Sequence, residues 1–160
     1  MPVEHFQRVR ARLAGEAIGI SEAHGVLVLQ IEGERLLPVV HALKGDLGFD
    51  LLLDVTAVDW LPATPRFEVV WHFYSTQHFV RVRLKTRVSE AAAEVDSLTA
   101  LYGAAAFTER ECHDLYGIRF RGNADLRPIL LYEGFTGHPL RKDYRKDHEQ
   151  PIVPYRLPQG

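Results

Sequence analysis

The sequence is poor in cysteine: Cys112 is the single one among 160 residues. One thiol cannot close a disulfide within the chain, and it cannot hold an iron-sulfur cluster, which normally takes four cysteine ligands. Three histidines, His113, His138 and His148, follow no recognised zinc spacing. We therefore expect a chain that holds no metal and no cofactor of its own, so that any redox centre it serves lies on another chain.

Long apolar runs and an excess of one charge are also absent. No stretch approaches the roughly 20 apolar residues that a transmembrane helix needs, and the N-terminus has neither the basic nor the apolar segment of a signal peptide. The net charge of −2 gives no electrostatic reason to bind nucleic acid or an anionic membrane. We expect a protein made in a reducing compartment, with no nucleic acid partner and no direct membrane insertion.

Motifs of nucleotide binding and of nucleophilic catalysis are missing as well. Gly134 and Gly137 lack the strand-turn-helix setting of a phosphate-binding loop. A free-standing hydrolase using His138 and Asp143 is an alternative from a different class, but no nucleophile elbow or papain-like cysteine motif accompanies the pair. Cys112 suits apolar packing better than catalysis. The sequence therefore indicates no catalytic residue.

What the sequence does contain is a regular succession of helix-like and strand-like segments. Apolar residues recur every three or four positions in some segments and alternate with polar ones in others, as over 79–85, where every second residue is basic. The predicted order is a helix over 3–15, strands over 17–21 and 26–32, a helix over 35–44, strands over 50–60, 67–74 and 79–85, and a helix over 89–101. This order predicts an α+β fold, a two-layer sandwich of helices on a mixed sheet.

A further short helix is predicted just before residue 117. Thr108 and Glu111 have the spacing of a capping box, which would begin the helix at Thr108. Phe107 and Cys112 would form the hydrophobic staple, and Gly117 would end the helix in a left-handed conformation. The predicted helix is therefore only about two turns long and needs packing to be stable.

The chain changes character after this helix. Residues 122–160 contain five of the nine prolines and a run of mixed charge over 141–149, with no helical or strand period. We divide the chain into a core domain over 1–121 and an extended docking arm over 122–160, called the C-terminal arm, which is not an independent domain. Such a segment is often a solvated terminus, but its apolar residues favour packing on its own domain or on a partner.

Two linked motifs resemble a known family. The first is ERE, then Asp, then YGI and Phe, over 109–120, and the second is GHPLRKD over 137–143. In these motifs and between them the chain is similar to the family formed by the C subunit of NADH-quinone oxidoreductase, the respiratory complex I. The matching residues are Glu109, Arg110, Glu111, Asp114, Tyr116, Gly117, Ile118, Phe120, Gly122, Asp125, Leu126, Ile129, Leu130, Gly134, Gly137, His138, Pro139, Leu140, Arg141, Lys142 and Asp143.

This resemblance implies a structural subunit of a proton-translocating NADH-quinone oxidoreductase. The chain would carry no cofactor, would dock beside the catalytic D subunit and the neighbouring iron-sulfur subunits in the peripheral arm of the complex, and would be inactive alone. FMN and the iron-sulfur clusters that pass electrons from NADH to quinone would lie on partner subunits. The complex would face the cytoplasmic side of the cell (inner) membrane. The alternative within the same role is the equivalent subunit of a coenzyme F420-dependent dehydrogenase or a membrane-bound hydrogenase.

The charged residues of the two motifs are the candidates for contact with a partner. Arg110 and Asp114 could pair across one helical turn, an interaction of minor value when exposed. After the rigid turn at 137–139, the basic and acidic side chains would form charge-assisted hydrogen bonds near the interface with the D subunit. The candidates are Glu109, Arg110, Glu111, Asp114, His138, Arg141, Lys142 and Asp143.

Overall fold

A computed structural model describes residues 2–147 of the chain. The first half contains helix α1 (Pro2–Leu13), strands β1 (Gly19–Ala23) and β2 (Val26–Gln30), a short 3-10 helix (Gly33–Arg35) and helix α2 (Leu36–Gly45). Strands β3 (Leu51–Asp59), β4 (Phe67–Ser75), β5 (Val80–Val88) and β6 (Glu94–Asp96) follow, and then helix α3 (Ala105–Tyr116) and strand β7 (Arg119–Arg121). The predicted α+β class is confirmed.

Five strands form one mixed sheet in the order β1-β2-β5-β4-β3. The pairing of β2 with β5 is parallel, and the other pairings in this sheet are antiparallel. Strands β6 and β7 form a separate parallel pair. The mixed sheet that the sequence predicts is therefore present.

The core lies against one face of the five-stranded sheet. Trp71 of β4 is opposite Leu84 of β5 and Val55 of β3, so these apolar side chains share a face. They form one cluster with apolar side chains of α1 and α2, among them Val9 and Leu43, which are fully buried. The other face of β4 and β5 carries mostly polar side chains. The helices therefore pack on one face of the sheet, which gives two layers.

The predicted helix over 89–101 is wrong. Its middle is strand β6, in which Val95 lies opposite Phe120 of β7. Ser89 accepts a hydrogen bond from the amide of Ala92 at 3.2 Å, as at a helix start, but no helix follows. Apolar residues three positions apart fit a helix, and they also fit a short strand followed by a turn that buries Leu98. Hydrogen bonding to β7, which lies far along the chain, favours the strand over the helix.

The predicted capping box is also wrong. Helix α3 begins at Ala105 and has 12 residues, so Thr108 lies inside it and donates its hydroxyl to the carbonyl oxygen of Ala104 at 3.2 Å. Phe107 is 62% exposed and forms no staple with the buried Cys112. The predicted end of the helix is confirmed, because Gly117 has φ of 73° and its amide donates to the helix.

The C-terminal arm continues without a helix or strand from 122 to 147. Its residues 148–160, which include His148 and the end of the charged run, lie outside the described residues. No helix within 2–147 is long and apolar enough to cross a membrane.

Candidate functional site

The C-terminal arm is attached to the core by a cluster of charges around the buried Arg66, which we call the Arg66 cluster. It consists of Asp59 at the end of β3, Arg66 just before β4, Glu90 after β5 and Asp143 of the arm. Arg66 donates to Asp59 at 2.7 and 3.0 Å, to Asp143 at 2.6 and 2.9 Å, and to Glu90 at 2.7 Å. The side chains of Arg66 and Asp59 are only 5% and 2% exposed. One guanidinium therefore joins three separate segments.

Electrostatics keep this cluster charged. Hydrogen bonds from Arg66 hold the pKa of Asp59 far below its usual range, despite the opposing effect of burial. The same guanidinium lowers the pKa of Asp143, and the carboxylates raise the pKa of Arg66. A buried guanidinium stays stable only when carboxylates compensate it. Loss of Arg66 would therefore leave the buried Asp59 without a cation.

Arm residues next to Asp143 add contacts to the core. The amide of Lys142 donates to the Asp59 carboxylate at 2.8 Å, and its ammonium reaches the carbonyl oxygen of Leu61 at 3.2 Å. The guanidinium of Arg141 donates to the carbonyl oxygen of Tyr116 at 2.7 Å and lies 5.0 Å from the ring centre of the buried Phe67. Within the chain, these groups fasten the arm over the end of α3.

Gly117 allows this close approach. His138 donates through Nδ1 to the carbonyl oxygen of Asp114 at 2.9 Å. A Cβ at Gly117 would lie 2.5 Å from Nε2 of His138 and 2.6 Å from Nη2 of Arg141. Glycine is required here both by the left-handed backbone and by the two arm side chains packed on it.

Asp114 of α3 holds the middle of the arm. Its Oδ2 accepts the amides of Ile129, Leu130 and Leu131 at 2.9 to 3.1 Å. Burial alone would raise the pKa of this carboxyl, but the three amides together lower it. The arm is thus shaped into a tight turn around one ionised carboxylate.

Glu109 of α3 binds the start of the arm, as Asp114 binds its middle. Its side chain is fully buried, and it accepts from the amide of Leu98, the hydroxyl of Ser97 and the amide group of Asn123 at 2.7 to 2.9 Å. Burial raises the pKa of Glu109, although these three hydrogen bonds oppose the rise. Glu109 therefore faces the interior of its own chain.

Arg110 and Glu111 lie on the outer side of α3. The predicted pair of Arg110 with Asp114 does not form, because Asp114 is occupied by the arm. Arg110 donates instead to the carbonyl oxygens of Arg127 and Pro128, both at 3.0 Å. Glu111 is exposed. Of the eight candidates, most bond to groups of their own chain, while Glu111, Lys142 and Asp143 are exposed.

Large apolar side chains on α3 and the arm remain exposed. Phe107 of α3 is 62% exposed, and Leu130 of the arm is 61% exposed. The remaining exposed ones are Ile129, Tyr132 and Leu140. A segment held in place by ion pairs and hydrogen bonds to its own core while it presents apolar side chains to solvent is typical of a surface that another protein covers.

Sequence reasoning missed Asp59, Arg66 and Glu90, the core half of the Arg66 cluster. A usable signal was present in β3, because the alternation that buries Val55 and Ala57 also places Asp59 on the core face. A carboxylate on a buried face needs a cation. The sequence offered no way to see that the cation was Arg66 and that the arm would share it.

The structure does not support the hydrolase alternative. His138 is bonded to the carbonyl oxygen of Asp114, while the carboxylate of Asp143 is held by Arg66. Burial raises the pKa of the Cys112 thiol, which makes it a poor nucleophile. Among residues 2–147, no group of three or more His, Cys, Asp or Glu side chains could hold a metal ion.

Comparison with known proteins first gives the class. Residues 29–150 match the family model described as respiratory-chain NADH dehydrogenase, 30 Kd subunit. This match covers more than half of the chain. The fold and the arm therefore define a 30 kDa-type subunit of a respiratory dehydrogenase.

Curated relatives give the family more closely. A protein of Citrifermentans bemidjiense, named as the C subunit of NADH-quinone oxidoreductase, is 39% identical over 137 residues, which cover 86% of this chain and 85% of the relative. The protein of that name from Xanthobacter autotrophicus is 40% identical over 164 residues, covering 94% and 78%. The chain belongs to this NADH-quinone oxidoreductase C-subunit family, whose members are parts of a multisubunit respiratory complex, and the resemblance seen in the sequence is confirmed.

Solved structures agree with this assignment. The chain is similar to a trypsin-resistant fragment (1-134) of Nqo5, with a TM-score of 0.67 and 31% identity, covering 79% of this chain and all of that one. It is also similar to a chain of the membrane-bound sulfane sulfur reductase, an archaeal respiratory membrane complex, with a TM-score of 0.74 and 25% identity, covering 89% and 85%.

Proposed function

We propose that this chain is a cofactor-free structural subunit of a proton-translocating NADH-quinone oxidoreductase and docks beside the catalytic D subunit and neighbouring iron-sulfur subunits. FMN and the iron-sulfur clusters reside on these partners, which carry electrons from NADH to quinone. The chain works on the cytoplasmic side of the inner membrane. By itself it is inactive, and its contribution is to hold catalytic subunits in register.

The observation that carries this proposal is the fixed, apolar surface of the C-terminal arm. A free arm would lose much conformational entropy on binding, and a weak complex would result. Here the Arg66 cluster and Asp114 hold the arm before any partner arrives. Exposed side chains such as Leu130 and Phe107 are thus preorganised for contact.

The eight candidates take two different parts in this proposal. Glu109, Asp114, His138 and Asp143 shape the arm through contacts inside the chain. At the surface of the site, Glu111 and the other exposed charges form the polar rim around the apolar side chains. Rim charges set the speed and register of association more than its strength.

The test is to make one exposed apolar side chain polar. Leu130→Ser should reduce the amount of chain recovered with the D subunit in the purified complex by about tenfold or more, because it removes an apolar contact at the interface. The thermal midpoint of the isolated chain should change little, since Leu130 is 61% exposed. Quantitative mass spectrometry of the affinity-purified complex gives the ratio.

Val3→Ser is the matched control. Val3 on α1 is 67% exposed, so the substitution also removes an exposed branched side chain, but from a helix that is not part of the arm. It should assemble like the unmodified chain. Equal recovery of both variants with the D subunit would contradict docking through the arm.

A second candidate function is the same role in a related membrane complex. The similarity to a chain of the sulfane sulfur reductase favours it, because one fold then serves more than one respiratory assembly. The complex purified through this chain distinguishes the two. Oxidation of NADH together with bound FMN supports the dehydrogenase, and their absence from an intact complex supports the related assembly.

A further inference from the structure

We propose that the open face of the five-stranded sheet is a second docking surface, which binds an acidic segment of another protein subunit. We call it the open sheet face and define it by the four basic residues of β5, Arg81, Arg83, Lys85 and Arg87, with Val70 of β4 and Trp60 beyond the end of β3. Its setting in a complex rests on the proposed function. The surface itself lies on the side of the sheet away from the helices.

Strand geometry aligns the four cations. Side chains two positions apart in a strand point to the same face and lie roughly 6 to 7 Å apart along it. The apolar residues between them, Val82 and Leu84, are buried in the core, so the cations all project from the other side. The sequence alternation over 79–85 therefore becomes a straight ladder of positive charge.

Few carboxylates compensate this ladder. Lys85 pairs with Glu68 of β4 at 2.8 Å. Within the described part of the chain, Arg81, Arg83 and Arg87 make no ion pair, and the buried Nε of Arg83 has no acceptor. Although the whole chain has a net charge of −2, this face carries guanidinium groups without carboxylate partners. An acidic segment would complement their charge.

Aromatic rings support two of the unpaired guanidinium groups. Arg87 lies over Trp60 at 5.3 Å from the ring centre, and Arg81 lies over Tyr74 at 5.9 Å. Stacking restricts the guanidinium while leaving its donors free for a carboxylate. Trp60 is itself 44% exposed, so it offers apolar contact area beside the charges.

The pKa of His72 is lowered in part by the positive charges of this face. His72 lies opposite Arg83 in β4, between Asp54 of β3 and the β5 ladder. Burial lowers its pKa first, and the charges of Arg83, Arg81 and Lys85 lower it further, while Asp54 opposes them. A bound acidic segment would compensate this positive charge.

The chemistry of the face favours a protein segment over nucleic acid or membrane. Apolar side chains lie beside the cations on the neighbouring strands: Val58 is 37% and Trp60 44% exposed. A polyphosphate backbone uses a continuous basic patch, whereas a segment with alternating acidic and apolar residues matches both parts of this face. The expected ligand groups are therefore Asp and Glu side chains spaced about two residues apart in an extended strand.

Zero-length cross-linking of the assembled complex tests this directly. In Arg81→Lys the new ammonium can react with a carboxylate only when the two are in contact, so carbodiimide should link position 81 to an Asp or Glu of another subunit. Arg10→Lys, an exposed position on α1, should give no such link. Failure to link position 81 to another subunit in an active complex would overturn the proposal.

Charge reversal measures the contribution of the face. Arg81→Glu with Arg83→Glu should reduce recovery of the linked subunit about tenfold or more while the D subunit is still recovered. Arg10→Glu with Arg12→Glu changes the net charge equally, breaks only the exposed ion pairs with Glu22 and Asp46, and should leave recovery of the linked subunit unchanged. Should the reversed strand fold poorly, Arg81→Gln with Arg83→Gln should give a smaller loss in the same direction.

The outcomes separate this inference from the docking of the arm. Full assembly of the charge-reversed chain overturns the open sheet face and leaves the arm proposal untouched, whereas loss of the D subunit in Leu130→Ser concerns the arm alone. Binding of the isolated chain to a single-stranded RNA oligomer or to anionic phosphatidylglycerol vesicles, lost on charge reversal, would overturn the choice of an acidic protein.

Discussion

Arg66 binds three carboxylates at once, from β3, from the segment after β5 and from the C-terminal arm. Replacing a buried charge leaves its partners without compensation, which costs more than the lost attraction. Arg66 therefore has two separate effects. One is the attachment of the arm, and the other is the stability of the end of the sheet.

Arg66→Met tests the stability of the end of the sheet. The substitution should lower the free energy of unfolding by about 3–5 kcal/mol, because Asp59 would stay buried without its cation. Arg127→Met is the control, since Arg127 pairs with Asp125 through an 82% exposed side chain and its removal should hardly matter. Urea unfolding of both variants gives the comparison, and equal midpoints would contradict a structural role for the cluster.

Glu109 should contribute a stability that increases as the pH falls. Burial raises its pKa, so between the folded and unfolded pKa values the folded state binds more protons, and acidification from neutral pH toward about pH 4.5 favours folding. In Glu109→Gln this contribution should be missing.

The measurement is the difference in unfolding free energy between Glu109→Gln and the unmodified chain at several pH values. The lowered pKa values of His5 and His72 act in the opposite direction, but they are present in both chains and cancel in the difference. Below about pH 4 the lowered pKa values of Asp59 and Asp114 remove stability from both chains. A difference that does not change between about pH 7 and pH 5 would show that Glu109 is not desolvated.

At the scale of elements, Gly117 links the end of α3 to the arm. Its backbone has φ of 73°, and His138 and Arg141 pack directly on it. The helix end was predictable from a glycine after an amphipathic segment. The packing of the arm on that glycine depends on residues about 20 positions or more away.

Gly117→Ala should therefore lower the free energy of unfolding by more than backbone strain alone would. Gly134→Ala isolates the strain, because Gly134 has φ of 87° and an added Cβ would meet nothing within 4 Å, so a loss of roughly 1–2 kcal/mol is expected. Gly117→Ala should lose more and should also release the arm. Hydrogen exchange at the amide of Lys142, which donates to Asp59, reports the release. Equal losses and unchanged exchange would contradict the close packing.

Local pattern also explains the error in 89–101. Val95, Leu98 and Leu101 have helical spacing, but hydrogen bonding to β7 is available to Val95 only after the chain has returned from α3. The same limit applies to Thr108, whose spacing to Glu111 fits a cap although α3 already starts at Ala105.

At the scale of the whole molecule, the proposed surfaces lie on different parts of one core. The C-terminal arm crosses the end of α3, while the open sheet face lies on the side of the sheet away from the helices. Two such surfaces would let one rigid domain connect two partners. The separation of arm and core into 122–160 and 1–121 is a prediction that truncation tests.

A chain ending at Arg121 should still unfold in one cooperative transition, because all described helices and strands end at or before that residue. Its thermal midpoint should be lower, since Asp114 loses the amides of Ile129, Leu130 and Leu131. It should not be recovered with the D subunit. A broad, non-cooperative transition would mean that the arm belongs to the core domain.

The sequence alone determined the α+β class, the end of α3, the alternation of β5 and the family, because each depends on local spacing or on contiguous motifs. A single cysteine likewise settled that the chain cannot supply a four-cysteine cluster. The partners of the arm's charged side chains became evident only in the folded chain. Arg66 meets Asp143 across 77 positions, and Val95 meets Phe120 across a helix. Ion pairs and strand pairs between residues so far apart in the sequence depend on the path of the folded chain. Local sequence periodicity contains no information about that path.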